Sequence, residues 1–132
     1  MTSKVVYLGE LRTACEHLQS GSTIITDAPV DNEGKGEAFS PTDTVATALA
    51  SCMFTIMGIK ARDHEFDLKD TYAVVTKTMA SDPRRISRIE INFVLRAEYT
   101  EKQRTILERA ANTCPVIYSL HPDIEKVITF SY

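Results

Sequence analysis

The most constraining feature of the sequence is a run of 15 residues, Val45 to Ile59, whose apolar side chains would cover almost every direction of a helix. Its polar exceptions, Thr47, Ser51 and Thr55, are small and recur every four positions along one stripe. A helix that is apolar all round is buried all round. The run is also shorter than the roughly 20 residues of a membrane span. The sequence therefore predicts a central core helix, and we expect no membrane association.

Local signals mark both ends of this helix. Ser40 is a suitable N-cap, Pro41 suits the first helical position, and Asp43 completes a pair resembling a capping box. Arg62 and His64 favour the C-terminal end, since positive charge there opposes the helix dipole.

Short β-prone segments lie on both sides of the helix. Three of them precede it: Lys4–Leu8, Arg12–Gln19 and Thr23–Thr26. A Ser20-Gly21 turn separates the second from the third, and the acidic loop Asp27–Glu37 follows. After it, a strand pair over residues 68–80 and 88–98, a helix capped by Thr100 and Gln103, and a last strand Val127–Tyr132 complete the chain. The order predicts one α+β domain over residues 1–132. A sheet of five or six strands would cover only one side of the central helix, so we expect a second copy of the chain to cover the other.

Composition excludes several classes of function. The formal charge is −3 with no basic block, which gives no reason to bind nucleic acid. Three cysteines do not make a disulfide scaffold, and no secretory signal opens the chain, so we expect a soluble, cytoplasmic protein. The spacing of cysteine and histidine residues matches no metal motif, so we predict no metal ion.

The three cysteines are the candidate reactive groups. Cys52 lies in the middle of the predicted helix, where core packing and reactivity both remain open, and a reactive thiolate there needs a nearby cation. Cys114 precedes Pro115 and is a candidate N-cap, where free N–H groups favour the thiolate; packing in a tight corner is the alternative. Cys15 is interpreted as an ordinary strand residue. Arg12, the one arginine before residue 62, is either a solvated strand-end charge or a functional cation.

Three segments together resemble the OsmC/Ohr family: Gly36–Asp43 (GEAFSPTD), Ala48–Met53 (ALASCM) and Thr113–Val116 (TCPV). The resemblance extends over nearly the whole chain. It implies an OsmC-like fold, in which antiparallel sheets wrap around a long buried helix in an intertwined homodimer. It also implies a cysteine peroxidase that reduces organic hydroperoxides without a cofactor. Cys52 would attack the hydroperoxide, Cys114 would resolve the sulfenic acid into a disulfide, and a lipoyl-type or other dithiol would restore both thiols.

The resemblance further implies that Arg12 stabilises the thiolate. A glutamate that often pairs with this arginine is replaced by Thr42, so that Asp43 or Glu37 would have to take its place. Local electrostatics favour Cys114 as the more acidic thiol, whereas the resemblance assigns the attack to Cys52, which we adopt. Four residues are candidates for the apolar walls around an alkyl hydroperoxide, with core packing as the alternative for each: Phe39, Met53, Phe54 and Ile56. The alternative functions are a non-catalytic binding protein and a redox-sensing stress protein.

Overall fold

The computed structural model describes all residues, 1–132, and contains two compact units, Met1–Val45 and Ala46–Tyr132. The order of strands and longer helices agrees with the predicted α+β order, and the fold class is confirmed. Two short helical segments add to it, a 3-10 turn over Val30–Asn32 and a five-residue helix after Cys114. The single domain predicted for residues 1–132 stays a prediction.

The first unit is built on a three-stranded antiparallel sheet. Its strands are β1 (Ser3–Gly9), β2 (Arg12–His17) and β3 (Thr23–Asp27), in that spatial order. The predicted turn between β2 and β3 is present, and Gly21 adopts a φ of +76° there, which glycine reaches without steric cost. The register of this hairpin places Arg12 directly opposite Asp27.

The long helix α1 extends over Pro41–Asp63. Its predicted cap is present: the backbone N–H of Ser40 donates to Asp43 Oδ2 over 2.9 Å, and the N–H of Asp43 donates to Ser40 Oγ over 3.0 Å. This reciprocal pair satisfies two N–H groups that the first turn would otherwise leave without partners.

One face of α1 is buried in the chain. This face carries Ala46, Leu49, Ala50, Met53, Met57 and Ala61. A second stripe is exposed, and it includes Val45, Ser51, Thr55 and Ile59. The expectation of burial on every side is therefore met on one side of the helix only. By length and composition α1 could cross a membrane, but the core helix of a soluble protein meets the same criterion.

The second unit contains the hydrophobic core and its own three-stranded sheet. The strands β4 (Tyr72–Ala80), β5 (Arg85–Val94) and β6 (Glu125–Ser131) lie in that order. As predicted, alternate residues of β5 point inward, and Ile89, Ile91 and Phe93 are buried.

Two details of the sheets differ from expectation. The chain has two three-stranded sheets where one sheet of five or six strands was predicted. In addition, β6 pairs parallel to β5, whereas the expected sheets were antiparallel. A parallel neighbour requires a crossover connection, which α2 (Glu101–Ala111) and α3 (Pro115–Ser119) provide.

The helix α2 begins and packs as its sequence predicts. Thr100 Oγ1 accepts from the N–H of Gln103, and the Gln103 side chain accepts in return from the N–H of Thr100. Leu107, Ala110 and Ala111 are buried in the same core as α1 and β5. The C-terminal end of α2 therefore leads directly into the segment that carries Cys114.

Candidate functional site

The structure brings Cys52 and Cys114 together. Cys52 is half-buried in the middle of α1, and Cys114 is completely buried at the start of α3. Their side chains are close enough for each thiol to affect the other electrostatically, and both thiols are free. Two thiols 62 positions apart in the sequence are thus neighbours within the second unit.

Cys114 occupies the N-cap of α3, as predicted. Its Sγ accepts a hydrogen bond from the backbone N–H of Ile117 over 3.4 Å, and Pro115 occupies the first position of the helix. Such N–H groups favour the thiolate, which was the reason to expect an acidic thiol.

The protonation of Cys114 contradicts that expectation. Burial raises the pKa of the Cys114 thiol above its ordinary value of 9.0, and this outweighs the opposing effect of the Ile117 N–H. The neighbouring Cys52 side chain raises the pKa of Cys114 further. Cys114 therefore retains its proton at neutral pH.

Arg12 is held by a buried carboxylate in the first unit. Its Nε donates to Asp27 Oδ1 over 2.7 Å, and its Nη2 donates to Asp27 Oδ2 over 2.8 Å. Only 1% of the Asp27 side chain is exposed. The two-pronged hydrogen bond from Arg12 is the main cause that lowers the pKa of Asp27, and the same contact raises the pKa of Arg12. Both groups are therefore charged at neutral pH.

A second carboxylate, that of Glu37, also contacts Arg12. Glu37 Oε2 accepts from Arg12 Nη2 over 2.9 Å. Glu37, one of the two residues expected to pair with Arg12 in place of Thr42, thus makes that contact. Asp43 caps α1, and Thr42 Oγ1 lies 3.2 Å from Ser40 Oγ within the same cap.

The sequence analysis missed Asp27. A signal for it was present, because the Ser20-Gly21 turn determines which residues of β2 and β3 face each other. With that turn at the hairpin end, the register pairs Arg12 with Asp27.

The other candidate residues have different surroundings. Phe39 is exposed and lines a shallow depression with Glu37 and Asp43. Met53 is completely buried in the core, so in this chain it has no surface to offer a ligand, because its position lies on the buried stripe of α1. Phe54 packs edge-on against Phe93 with ring centroids 4.8 Å apart.

Ile56 is half-buried against the same core. Cys15 lies on β2, and its thiol lies 3.7 Å from the hydroxyl of Thr13. No group of three or more His, Cys, Asp or Glu side chains could hold a metal ion.

Comparison with known proteins shows which family the chain resembles in sequence and fold. The model of the family described as OsmC-like protein matches residues 34–128, which include both Cys52 and Cys114. No curated protein matches the chain. A crystal structure from Psychrobacter arcticus, of a protein with a proposed osmotic stress induced and detoxification response role, is 58% identical. It has a TM-score of 0.95 over 98% of this chain and 95% of that one.

More distant structures share the fold. The organic hydroperoxide resistance protein OsmC from Legionella pneumophila is 14% identical, with a TM-score of 0.77 over 100% of this chain and 98% of that one. An organic hydroperoxide resistance protein from Elizabethkingia anophelis is 13% identical, with a TM-score of 0.76 over 99% and 96% of the two chains. The family model covers well over half of the chain, and the Psychrobacter structure matches nearly all of it. The chain therefore belongs to the OsmC-like protein family.

Proposed function

We propose that the protein is a thiol peroxidase that reduces organic hydroperoxides through Cys52 and Cys114. The observation that carries the proposal is the pair of neighbouring free thiols, one half-buried in the middle of α1 and the other, Cys114, buried with a raised pKa. A protonated thiol beside a thiolate can donate to it and so stabilise its negative charge. This arrangement supports Cys52 as the attacking sulfur and Cys114 as the resolving one.

The reaction proceeds in two steps on the protein. The Cys52 thiolate attacks one oxygen of the hydroperoxide, the O–O bond breaks, and the alkoxide takes a proton to leave as an alcohol. Cys52 is then a sulfenic acid. The Cys114 sulfur attacks the Cys52 sulfur, the S–O bond breaks, and the hydroxyl leaves as water with the proton of Cys114. A disulfide results, and a dithiol of the lipoyl type reduces it by exchange.

We propose that Arg12 stabilises the charge on Cys52 during the attack. The fixed position of Arg12 supports this role, because Asp27 holds the guanidinium through two hydrogen bonds and keeps it protonated. A preorganised cation stabilises a thiolate without having to reorient.

Apolar side chains would receive the alkyl part of the substrate. Phe39 supports this proposal through its exposure, and the half-buried Phe54 and Ile56 offer part of their surface. Such walls favour an alkyl group over water.

We also propose a homodimer. Both faces of the sheet in the first unit expose large apolar side chains: Val5, Tyr7 and Ile24 on one face, and Val6, Leu8 and Ile25 on the other. A three-stranded sheet that is apolar on both faces requires a cover, as does the exposed stripe of α1. A second copy of the chain supplies both covers at once. The unpaired cysteines support a reducing, cytoplasmic location.

Thiol counting tests the function. The chain has three cysteines, so one equivalent of an alkyl hydroperoxide should leave one free thiol per chain. Addition of a dithiol should then give continuous consumption of hydroperoxide. A redox sensor would lose the thiols without sustained turnover, and a binding protein would lose none; either result would refute the peroxidase.

A further inference from the structure

The second unit contains two neighbouring thiols that differ in their access to solvent. Cys52 is half-buried and packs against the hydrophobic core, whereas Cys114 is a completely buried member of that core. Both thiols are free, and each is close enough to affect the other. A ligand that requires two sulfurs can therefore reach Cys52 from solvent first and Cys114 second.

The two segments that carry these thiols contain no charged side chain. None occurs in residues 45–59 of α1 or in residues 110–120 around Cys114. Burial raises the pKa of the Cys114 thiol, so this sulfur resists conversion to a thiolate. A complex that requires two thiolates is therefore disfavoured at this pair. A ligand that takes up both protons and leaves an uncharged product suits it better.

The number of available donors narrows the class of ligand further. A structural zinc site needs about four ligands, and no group of three or more His, Cys, Asp or Glu side chains could hold a metal ion here. A monovalent soft cation accepts two sulfurs, but it binds them as thiolates and leaves a net negative charge. Trivalent arsenic that carries one organic group needs only two sulfurs, and its product with two thiols is neutral.

We propose that Cys52 and Cys114 form a binding site for trivalent arsenicals that carry one organic group, R–As=O. The inference uses the thiols of the proposed function but does not depend on peroxide reduction. Ile56 lies one helical turn after Cys52, is half-buried and packs against the same core. An apolar organic group on the arsenic therefore has an apolar side chain beside it.

Binding proceeds in two steps, and both are condensations. The Cys52 sulfur bonds to arsenic, and its proton passes to the arsenic-bound oxygen, which becomes a hydroxyl. The Cys114 sulfur then displaces this hydroxyl, which leaves as water with the proton of Cys114. Arsenic stays trivalent and both sulfurs stay at the thiol level, so no oxidant or reductant is needed.

Two bonds to one protein hold arsenic much more tightly than one bond does. The second sulfur is a neighbour of the first, so the second bond forms within one molecule and needs no second encounter. Loss of either sulfur should weaken binding by about a hundredfold or more. A monothiol in solution should therefore displace arsenic from a single sulfur and fail to displace it from the pair.

Phenylarsine oxide is the probe that tests the proposal. The reduced protein should take up one equivalent per chain, and its free thiols should fall from three to one. Intact mass spectrometry should show a gain equal to the reagent less one water. The adduct should survive an excess of mercaptoethanol, a monothiol, and dimercaptopropanol, a dithiol, should remove it. Peptide mapping should recover the Cys52 and Cys114 peptides joined through arsenic.

Serine variants locate the site. Cys15→Ser, the matched control, should retain one equivalent in the presence of the monothiol, with both of its thiols consumed. Cys52→Ser and Cys114→Ser should each lose the arsenical to the monothiol. The wild type and Cys15→Ser decide the question even where one of the other variants does not fold. Loss of the adduct from the wild type to the monothiol, or from Cys15→Ser, would overturn the proposal.

Hydroperoxide turnover separates this inference from the proposed function. If the protein retains the arsenical but consumes no alkyl hydroperoxide, the arsenical site stands and the peroxidase fails. If the protein consumes hydroperoxide but releases the arsenical to a monothiol, the peroxidase stands and the arsenical site is refuted. If both results are positive, the arsenical should also inhibit turnover in proportion to the fraction of chains that hold it, since both reactions use the same two sulfurs.

Discussion

Substitution of Cys114 by serine separates the attacking thiol from the resolving one. Cys114 is completely buried, so the substitution must leave no polar group without a partner. The serine oxygen can accept from the N–H of Ile117, since serine is a preferred N-cap residue. Its O–H replaces the thiol S–H beside Cys52. We therefore expect a loss of only about 1 kcal/mol in the free energy of unfolding, or a Tm lower by roughly 3–6 °C.

The chemical effect of Cys114→Ser should be large by comparison. The wild-type chain has three free thiols and should retain one after reaction with an alkyl hydroperoxide, because Cys52 and Cys114 form a disulfide. The variant starts with two thiols and should retain one, with Cys52 trapped as a sulfenic acid that dimedone labels. Cys52→Ser should keep both of its thiols, and Cys15→Ser, the matched control, should lose both of its own.

Mass spectrometry of dimedone-labelled peptides shows directly which cysteine forms the sulfenic acid. A label on Cys114 in the Cys52→Ser variant would reverse the two roles. It would also show that the N–H groups of α3 outweigh burial at Cys114, which would refute the electrostatic argument made for this pair.

Three further predictions concern the rest of the chain. Arg12→Ala should slow the alkylation of Cys52 at neutral pH, and Arg12→Lys, which keeps a positive charge beside Asp27, should restore part of the rate; equal rates in all three proteins would exclude Arg12 from the site. Sedimentation at low micromolar concentration should give about twice the 14.7 kDa of one chain, and a folded monomer would contradict the dimer. Asp27 has a lowered pKa in the folded state, so its contribution to stability is present above its unfolded pKa, near 3.8, and is lost as pH falls through the folded value. Asp27→Asn should therefore have a lower free energy of unfolding than wild type at neutral pH. Denaturant titrations should show this difference shrinking as the pH falls below the unfolded pKa of Asp27.

Local signals predicted most of the helical structure. The caps at Ser40, Thr100 and Cys114 each depend on residues at most three positions apart, and all three are present. The alternation of β5 likewise predicted its buried residues. These features were predictable because neighbours along the chain determine them.

Features that depend on distant residues were predicted less well. The parallel pairing of β6 depends on how α2 and α3 return the chain, which no local pattern encodes. The proton on Cys114 depends on burial by residues from several elements, so an argument from the N-cap alone gave the wrong direction. Asp27 was missed for a different reason. The turn between β2 and β3 was identified, but the pairing of Arg12 with Asp27 that this turn implies was not worked out.

The Cys114 sulfur has two roles, in the proposed disulfide and in the N-cap of α3, and this affects local dynamics. The same atom that would join Cys52 in a disulfide also accepts the N–H of Ile117 at the start of α3. A helix of five residues has little stability of its own, so the loss of its cap should let its first turn open more often. Amide hydrogen exchange at Ile117 should therefore be faster in the oxidised protein than in the reduced one, and this single backbone group would report the redox state of the pair.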